Sequence, residues 1–199
     1  KVASADIVDH RLHKMLGASD TSAILACGMA TMDEIKSALA YYKDPKKQIS
    51  LLHCVSNYPC ADDSLNLSVI RSLKEAFNVN VGFSDHSVGS DAAFLSVALG
   101  CNIIEKHFTL DKTMSGPDHK ASSDPIEFKE LISKIRRAST LLGKEKKSVQ
   151  LEEAPMREIS RKSIFAKEKI EAGSKISEKS ITMLRPGLGL SGDAFFKIQ

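Results

Sequence analysis

Residues 79–108 read VNVGFSDHSVGSDAAFLSVALGCNIIEKHF, and the order of residue types along them decides the fold. Val79 to Phe83 is a short, almost wholly apolar run that ends at the polar Ser84–Asp85–His86. A glycine-containing loop follows, then a helix-like stretch from about Asp91 to Leu99. The next apolar run, Asn102 to Phe108, carries Glu105–Lys106–His107 near its end. Strand, helix and strand in this order make a βα unit, and such units build parallel sheets.

The pattern repeats in both directions. Ser22–Cys27 and Ile49–Cys54 are further apolar runs, and Lys1–Ala5 is a short extended stub. Thr31 and Glu34 have capping-box spacing, with Met32, Ile35 and Leu39 on one helical face. Leu67, Ile70, Leu73 and Phe77 stripe a second helix. Asp124, Pro125 and Glu127 open a third, which runs to about Leu142 and stops at Gly143. Strands this apolar are covered on both faces. A closed (β/α)₈ barrel takes about 250 residues, more than the 199 here. The pattern is therefore an open α/β sheet or the second part of a barrel.

Apolar residues make up 42% and charged ones 27%, enough for a packed core. The net charge of +3 is too small to suggest a nucleic-acid partner, and it divides as −3 over residues 1–126 and +6 over 127–199. The most apolar stretch, Ala92–Ile104, is broken by Ser96, Gly100 and Asn102, so no membrane span is expected. With no leader-like segment and four cysteines that form no CxxC pair, the expected setting is reducing and cytoplasmic. Residues 144–158 are expected to be a charged linker, and 159–199 a small, mostly β module.

Polar residues gather at the strand ends, where parallel βα folds build their sites. His86 and His107 lie 21 residues apart, about one repeat, so two imidazoles from adjacent strands could converge as metal ligands do. Spacing alone leaves hydrogen-bonded or solvated histidines as the alternative. His53, inside an apolar strand, is expected to be structural; His10, His13 and His119 fit surface positions. Asp118 sits in a Gly-Pro-Asp loop and is either a turn residue or a polyol acceptor. Lys1 with Ser4 suits a phosphate, though any Lys-x-x-Ser looks the same, and Arg185 is either a surface arginine or a fixed cationic fork.

Four strings carry a resemblance: LLHCVSNYP (51–59), VGFSDHSVG (81–89), ALGCNIIEKHFTLDKTMSGPDHKAS (98–122) and RPGLG (185–189). They resemble the N-acetylneuraminate (sialic acid) synthases from Lys1 to about Gly192. The resemblance implies strands 4–8 of a (β/α)₈ TIM barrel over residues 1–143, followed by part of a β-clip, antifreeze-like (SAF) domain. It implies condensation of phosphoenolpyruvate with N-acetylmannosamine or a related amino sugar, releasing phosphate. The cofactor implied is a divalent metal, Mn²⁺ first, with Mg²⁺ or Co²⁺ as alternatives.

By position, His86 and His107 resemble the family's metal ligands, and Asp118 and Tyr58 its sugar-site residues. Lys1, Ser4 and Ser84 match groups that hold phosphoenolpyruvate, with Ser56 adjacent; Asp6 stands where most members have a glutamate. Arg185 resembles an arginine that reaches the sugar across a homodimer in which the SAF domain covers the partner's barrel. Ala26 departs from the usual Ser or Thr, removing a hydroxyl that helps bind phosphate. The family's first three strands, with an acidic residue and a lysine of the site, have no counterpart here. Two further readings stand beside this one: a legionaminate- or pseudaminate-type synthase, and a non-catalytic fragment or sugar-binding module.

Overall fold

The computed structural model describes residues 1–198, which divide into two units at Gly143/Lys144. The first is α/β. Its sheet has four parallel strands in sequential order: β1 (Ala23–Ala26), β2 (Ile49–His53), β3 (Asn80–Asp85) and β4 (Ile104–Lys106). Helices α1 (His10–Gly17), α2 (Met32–Leu39), α3 (Pro45–Gln48), α4 (Val69–Phe77), α5 (Asp91–Ala98) and α6 (Pro125–Leu142) alternate with them. Both expected capping boxes form, Thr31 with Glu34 and Asp124 with Glu127, so the donors exposed at these helix starts are satisfied.

Period-two alternation gives the sheet two different faces. Leu25, Leu51 and Val81 stand side by side in register and pack, fully buried, with Ile35, Ala38, Ile70 and Leu73 of the helices. Fully burying side chains of this size stabilises by about 1.5–3 kcal/mol each. The opposite face holds Ala26, Leu52 and Gly82, again in register. Gly82 is required there: a Cβ would lie 2.4 Å from the Ile103 carbonyl oxygen and 2.7 Å from Leu52 Cδ2. Gly82→Ala is expected to destabilise the first unit by about 3 kcal/mol, the upper end of overpacking effects. A urea midpoint shift at constant slope would measure it.

The sheet is strongly curled. Val2 bridges the free edge of β1 at Leu25, which puts Lys1 four strand spacings from β4. On a flat sheet that is roughly 19 Å, further than an extended lysine and glutamate can bridge. Yet Lys1 Nζ lies 2.8 Å from Glu105 Oε2. The two edges face each other across the concave side, as in half of a barrel.

Some expectations are corrected. The stub Lys1–Ala5 pairs only at Val2, because Ser4–Val8 turns into a 3₁₀ helix. The seven-residue strand expected at 102–108 keeps three residues, although the Ile103 carbonyl still accepts from Phe83 N. His13 is not a surface residue. It lies fully buried in α1, bonded to Tyr42 Oη and the Ile7 carbonyl.

The second unit, from Lys144, contains a 3₁₀ turn at Leu151–Glu153 and helix α7 (Ala154–Ser160) within and just beyond the stretch expected as linker. Strands β5 (Ser163–Ala166) and β6 (Ile181–Leu184) then pair antiparallel. Among the described residues no helix is long and apolar enough to cross a membrane.

Candidate functional site

The strand ends β2, β3 and β4 deliver alternate side chains to the concave face. From β3 these are Ser84 and, one step past the strand, His86; from β4 they are Glu105 and His107. The Ser84–Glu105 register makes the pairing, and Ser84 Oγ donates to Glu105 Oε1 at 2.7 Å. The imidazole centroids of His86 and His107 lie 5.4 Å apart, nearly perpendicular. The Tyr58 ring sits 4.2 Å from the first and 5.0 Å from the second. The two histidines therefore converge, with an aromatic wall beside both.

The donor chemistry of His86 is settled by its neighbours. A backbone carbonyl only accepts, so Nδ1, 2.6 Å from the Val55 oxygen, carries the ring proton. Ser84 has one hydroxyl proton, and the shorter bond to the Glu105 carboxylate takes it. The 3.3 Å approach of Ser84 Oγ to Nε2 thus leaves an imidazole lone pair without a hydrogen. Burial holds His86 below the usual imidazole range, against the raising effect of the Val55 carbonyl, so the neutral form is favoured. A carbonyl-anchored ring with a free nitrogen is the form in which histidine binds a metal. Among the described residues no group of three or more His, Cys, Asp or Glu is placed to hold an ion, so His86 and His107 converge as a pair.

Beside the histidines lies a charged and hydroxylic pocket. Lys1 Nζ bonds both oxygens of Glu105, at 2.9 and 2.8 Å. Burial pushes the Glu105 carboxyl up, but hydrogen bonds from Lys1 and Ser84 and the Lys1 charge outweigh it and hold it below its usual range. Ser4 Oγ accepts from Gly28 N at 3.0 Å and lies 3.3 Å from Cys54 Sγ. A Cβ on Gly28 would sit 2.3 Å from Ser56 Oγ and 2.9 Å from Ser4 Oγ, so both hydroxyls close on this glycine. Cys27, behind it, is kept a thiol by burial, its pKa pushed up to about 12. Tyr58 has its hydroxyl raised by burial first, then by Cys54, Asp118 and Glu105, which places the Asp118 loop within electrostatic reach of the cluster.

The structure thus brings together Lys1, Ser4, Ser56, Tyr58, Ser84, His86 and His107, with Asp118 at the rim. Asp6 is exposed on the 3₁₀ turn, and among the described residues its carboxylate accepts no hydrogen bond from the cluster. Arg185 belongs to the second unit, at a cis Arg185–Pro186 bond. His53 faces the other side of the sheet, stacked on Phe83 and bonded to the Leu65 carbonyl. Glu105, a strand-end residue with no role in the sequence reading, is the one functional group of this cluster that the reading misses. The signal was available: it follows Ser84 by the same 21 residues that separate the two histidines.

Known proteins resemble this chain in sequence and in fold. The chain is 42% identical to the N,N'-diacetyllegionaminic acid synthase of Campylobacter jejuni, over 96% of this chain and 58% of that protein. It is 37% identical to the pseudaminic acid synthase of the same species, over 96% of this chain and 55% of that one. The solved N-acetylneuraminic acid (sialic acid) synthetase of Leptospira borgpetersenii superposes with a TM-score of 0.72 at 38% identity. That match covers 77% of this chain and 54% of the solved one. The chain therefore spans a little over half the length of the curated relatives it matches. With the NeuB family model matching residues 1–147, the whole unit that builds the strand-end cluster, this chain belongs to the NeuB family.

Proposed function

We propose that the full-length protein condenses phosphoenolpyruvate with an N-acetylated amino sugar, giving a nonulosonic acid and inorganic phosphate. The observation that carries this reading is the meeting, on one concave face, of an imidazole pair with a Lys1–Glu105–Ser84 relay. The first suits an electrophilic sugar aldehyde and the second an anionic enol phosphate. The relatives named above support a 2,4-diacetamido-trideoxy sugar as acceptor alongside N-acetylmannosamine.

In this reading Lys1 and the hydroxyls of Ser4 and Ser56 around Gly28 hold the phosphate and carboxylate of phosphoenolpyruvate. Ala26, buried in β1, offers no hydroxyl, so one phosphate contact worth about 1.5–3 kcal/mol is left to other groups. His86 and His107 would hold a divalent cation, manganese first, which supplies Lewis-acid polarisation of the aldehyde when bound. Tyr58 packs against both rings and screens them from water. Glu105, kept ionised, accepts the proton of the water that adds at C2. Asp118 orients the sugar hydroxyls. Residues 159–198 are read as the opening of an SAF domain, whose Arg185 reaches the partner's sugar in a homodimer.

The test is direct. Purified full-length protein, given manganese ion and phosphoenolpyruvate, should release phosphate only when an amino sugar is added. Comparing N-acetylmannosamine with a 2,4-diacetamido-trideoxy sugar by kcat/KM identifies the acceptor. Absence of phosphate release with every N-acetylated amino sugar would overturn the reading.

A further inference from the structure

The concave cluster has a counterpart on the back of the same two strands. Asp85 and Lys106 are register partners, each one residue before a site histidine, and alternation turns them to the helix side. Their side chains are 0% and 2% exposed, and Lys106 Nζ lies 2.9 Å from Asp85 Oδ2. Lys106 also donates to the Ser87 carbonyl, and Asp85 Oδ1 accepts from Ser87 N and Ser87 Oγ at 2.9 and 2.7 Å. The backbone on both sides of His86 is thereby clamped. His86 itself adds a carbonyl bond to Cys60 N, and its Nδ1 rests on Val55. Nothing in the proposed chemistry touches this buried ion pair.

A pair of opposite charges enclosed in this way is weak evidence for stability, since apolar replacements of similar size are often as stable. What it does supply is a fixed cross-strand distance and a fixed exit turn. We propose that Asp85 and Lys106 are positioning residues: they lock the register of β3 on β4 and the turn at Ser87, so that His86 keeps its Nδ1–H on Val55 and presents Nε2 beside Ser84 on the concave face. The inference rests on the metal-holding role read above for the histidines, and its test separates the two.

The test uses full-length protein carrying Asp85→Asn with Lys106→Met, which removes both charges and keeps an acceptor for Ser87. In the metal-free parent, ¹H–¹⁵N correlations of the imidazole should show His86 as a single Nδ1–H tautomer. In the double variant they should move to tautomer-averaged shifts, with Tm near that of the parent. Manganese affinity should fall at least tenfold, the usual effect of losing an outer support of a ligand. Ser87→Ala, which deletes one hydrogen bond and no charge, should shift the signature the same way by less. An unchanged His86 signature in the folded double variant overturns the proposal, as does an unchanged one in Ser87→Ala should the double variant not fold. If the parent binds no manganese ion while the variants still shift the tautomer, the metal reading falls and the positioning role stands.

Discussion

His86→Ala in the full-length protein is expected to lower kcat about a thousandfold and to reduce manganese binding below detection by calorimetry. The size follows from what a ligated cation contributes: several kcal/mol of charge stabilisation, with each 1.36 kcal/mol worth tenfold in rate. In the proposed reading the ion rests on the His86–His107 pair, so removing one leaves a single imidazole. The variant also leaves the partly buried Val55 carbonyl without its 2.6 Å donor, a loss of about 1 kcal/mol, the low end for an unsatisfied group. A modest drop in Tm is therefore expected, and circular dichroism should still report the native fold. Unchanged ion affinity in a folded His86→Ala protein would remove the ligand assignment.

Glu105→Gln is expected to lower kcat about a hundredfold or more, within the range of general acid–base contributions. KM for phosphoenolpyruvate should stay level or fall, because Lys1 loses its carboxylate partner. The pH dependence carries a sign. The folded carboxyl is held below the ordinary 4.5, so Glu105 is ionised throughout the neutral range. Its stabilising effect is complete above that ordinary value and disappears as pH falls through the lower, folded one. The glutamine variant should lack this part of acid destabilisation, while its rate stays depressed at every pH. A variant with parental kcat would show that the carboxylate carries no proton in the reaction.

Much of the first unit was legible because its signals are local. Apolar runs ending in polar residues gave β1 to β3 within two residues at most ends, and the two capping boxes formed where Thr31–Glu34 and Asp124–Glu127 placed them. The misses have physical causes. β4 is short because apolar residues continue past the point where its ladder ends, so the pattern overran the hydrogen bonding. Helix α1 escaped because it is short and the residues it buries most deeply are His13 and Gly17, the histidine held by two specific hydrogen bonds. The histidine pair was visible as a spacing. The choice of nitrogen was not, since it depends on Val55 and Ser84 meeting His86 from different parts of the chain.

The Lys1–Glu105 contact that spans the curled sheet has one more implication. The cavity carries its own counterion: a resident carboxylate occupies the ammonium that an anionic substrate would claim. A phosphate or carboxylate that binds Lys1 competes with Glu105 for its three N–H donors, so part of the ligand's gross attraction is spent on that competition. Where the anion displaces it, Glu105 loses the donor that most lowers its proton affinity. Occupancy and basicity are thus linked through a single lysine: the carboxylate becomes a stronger base when, and because, the anion has arrived.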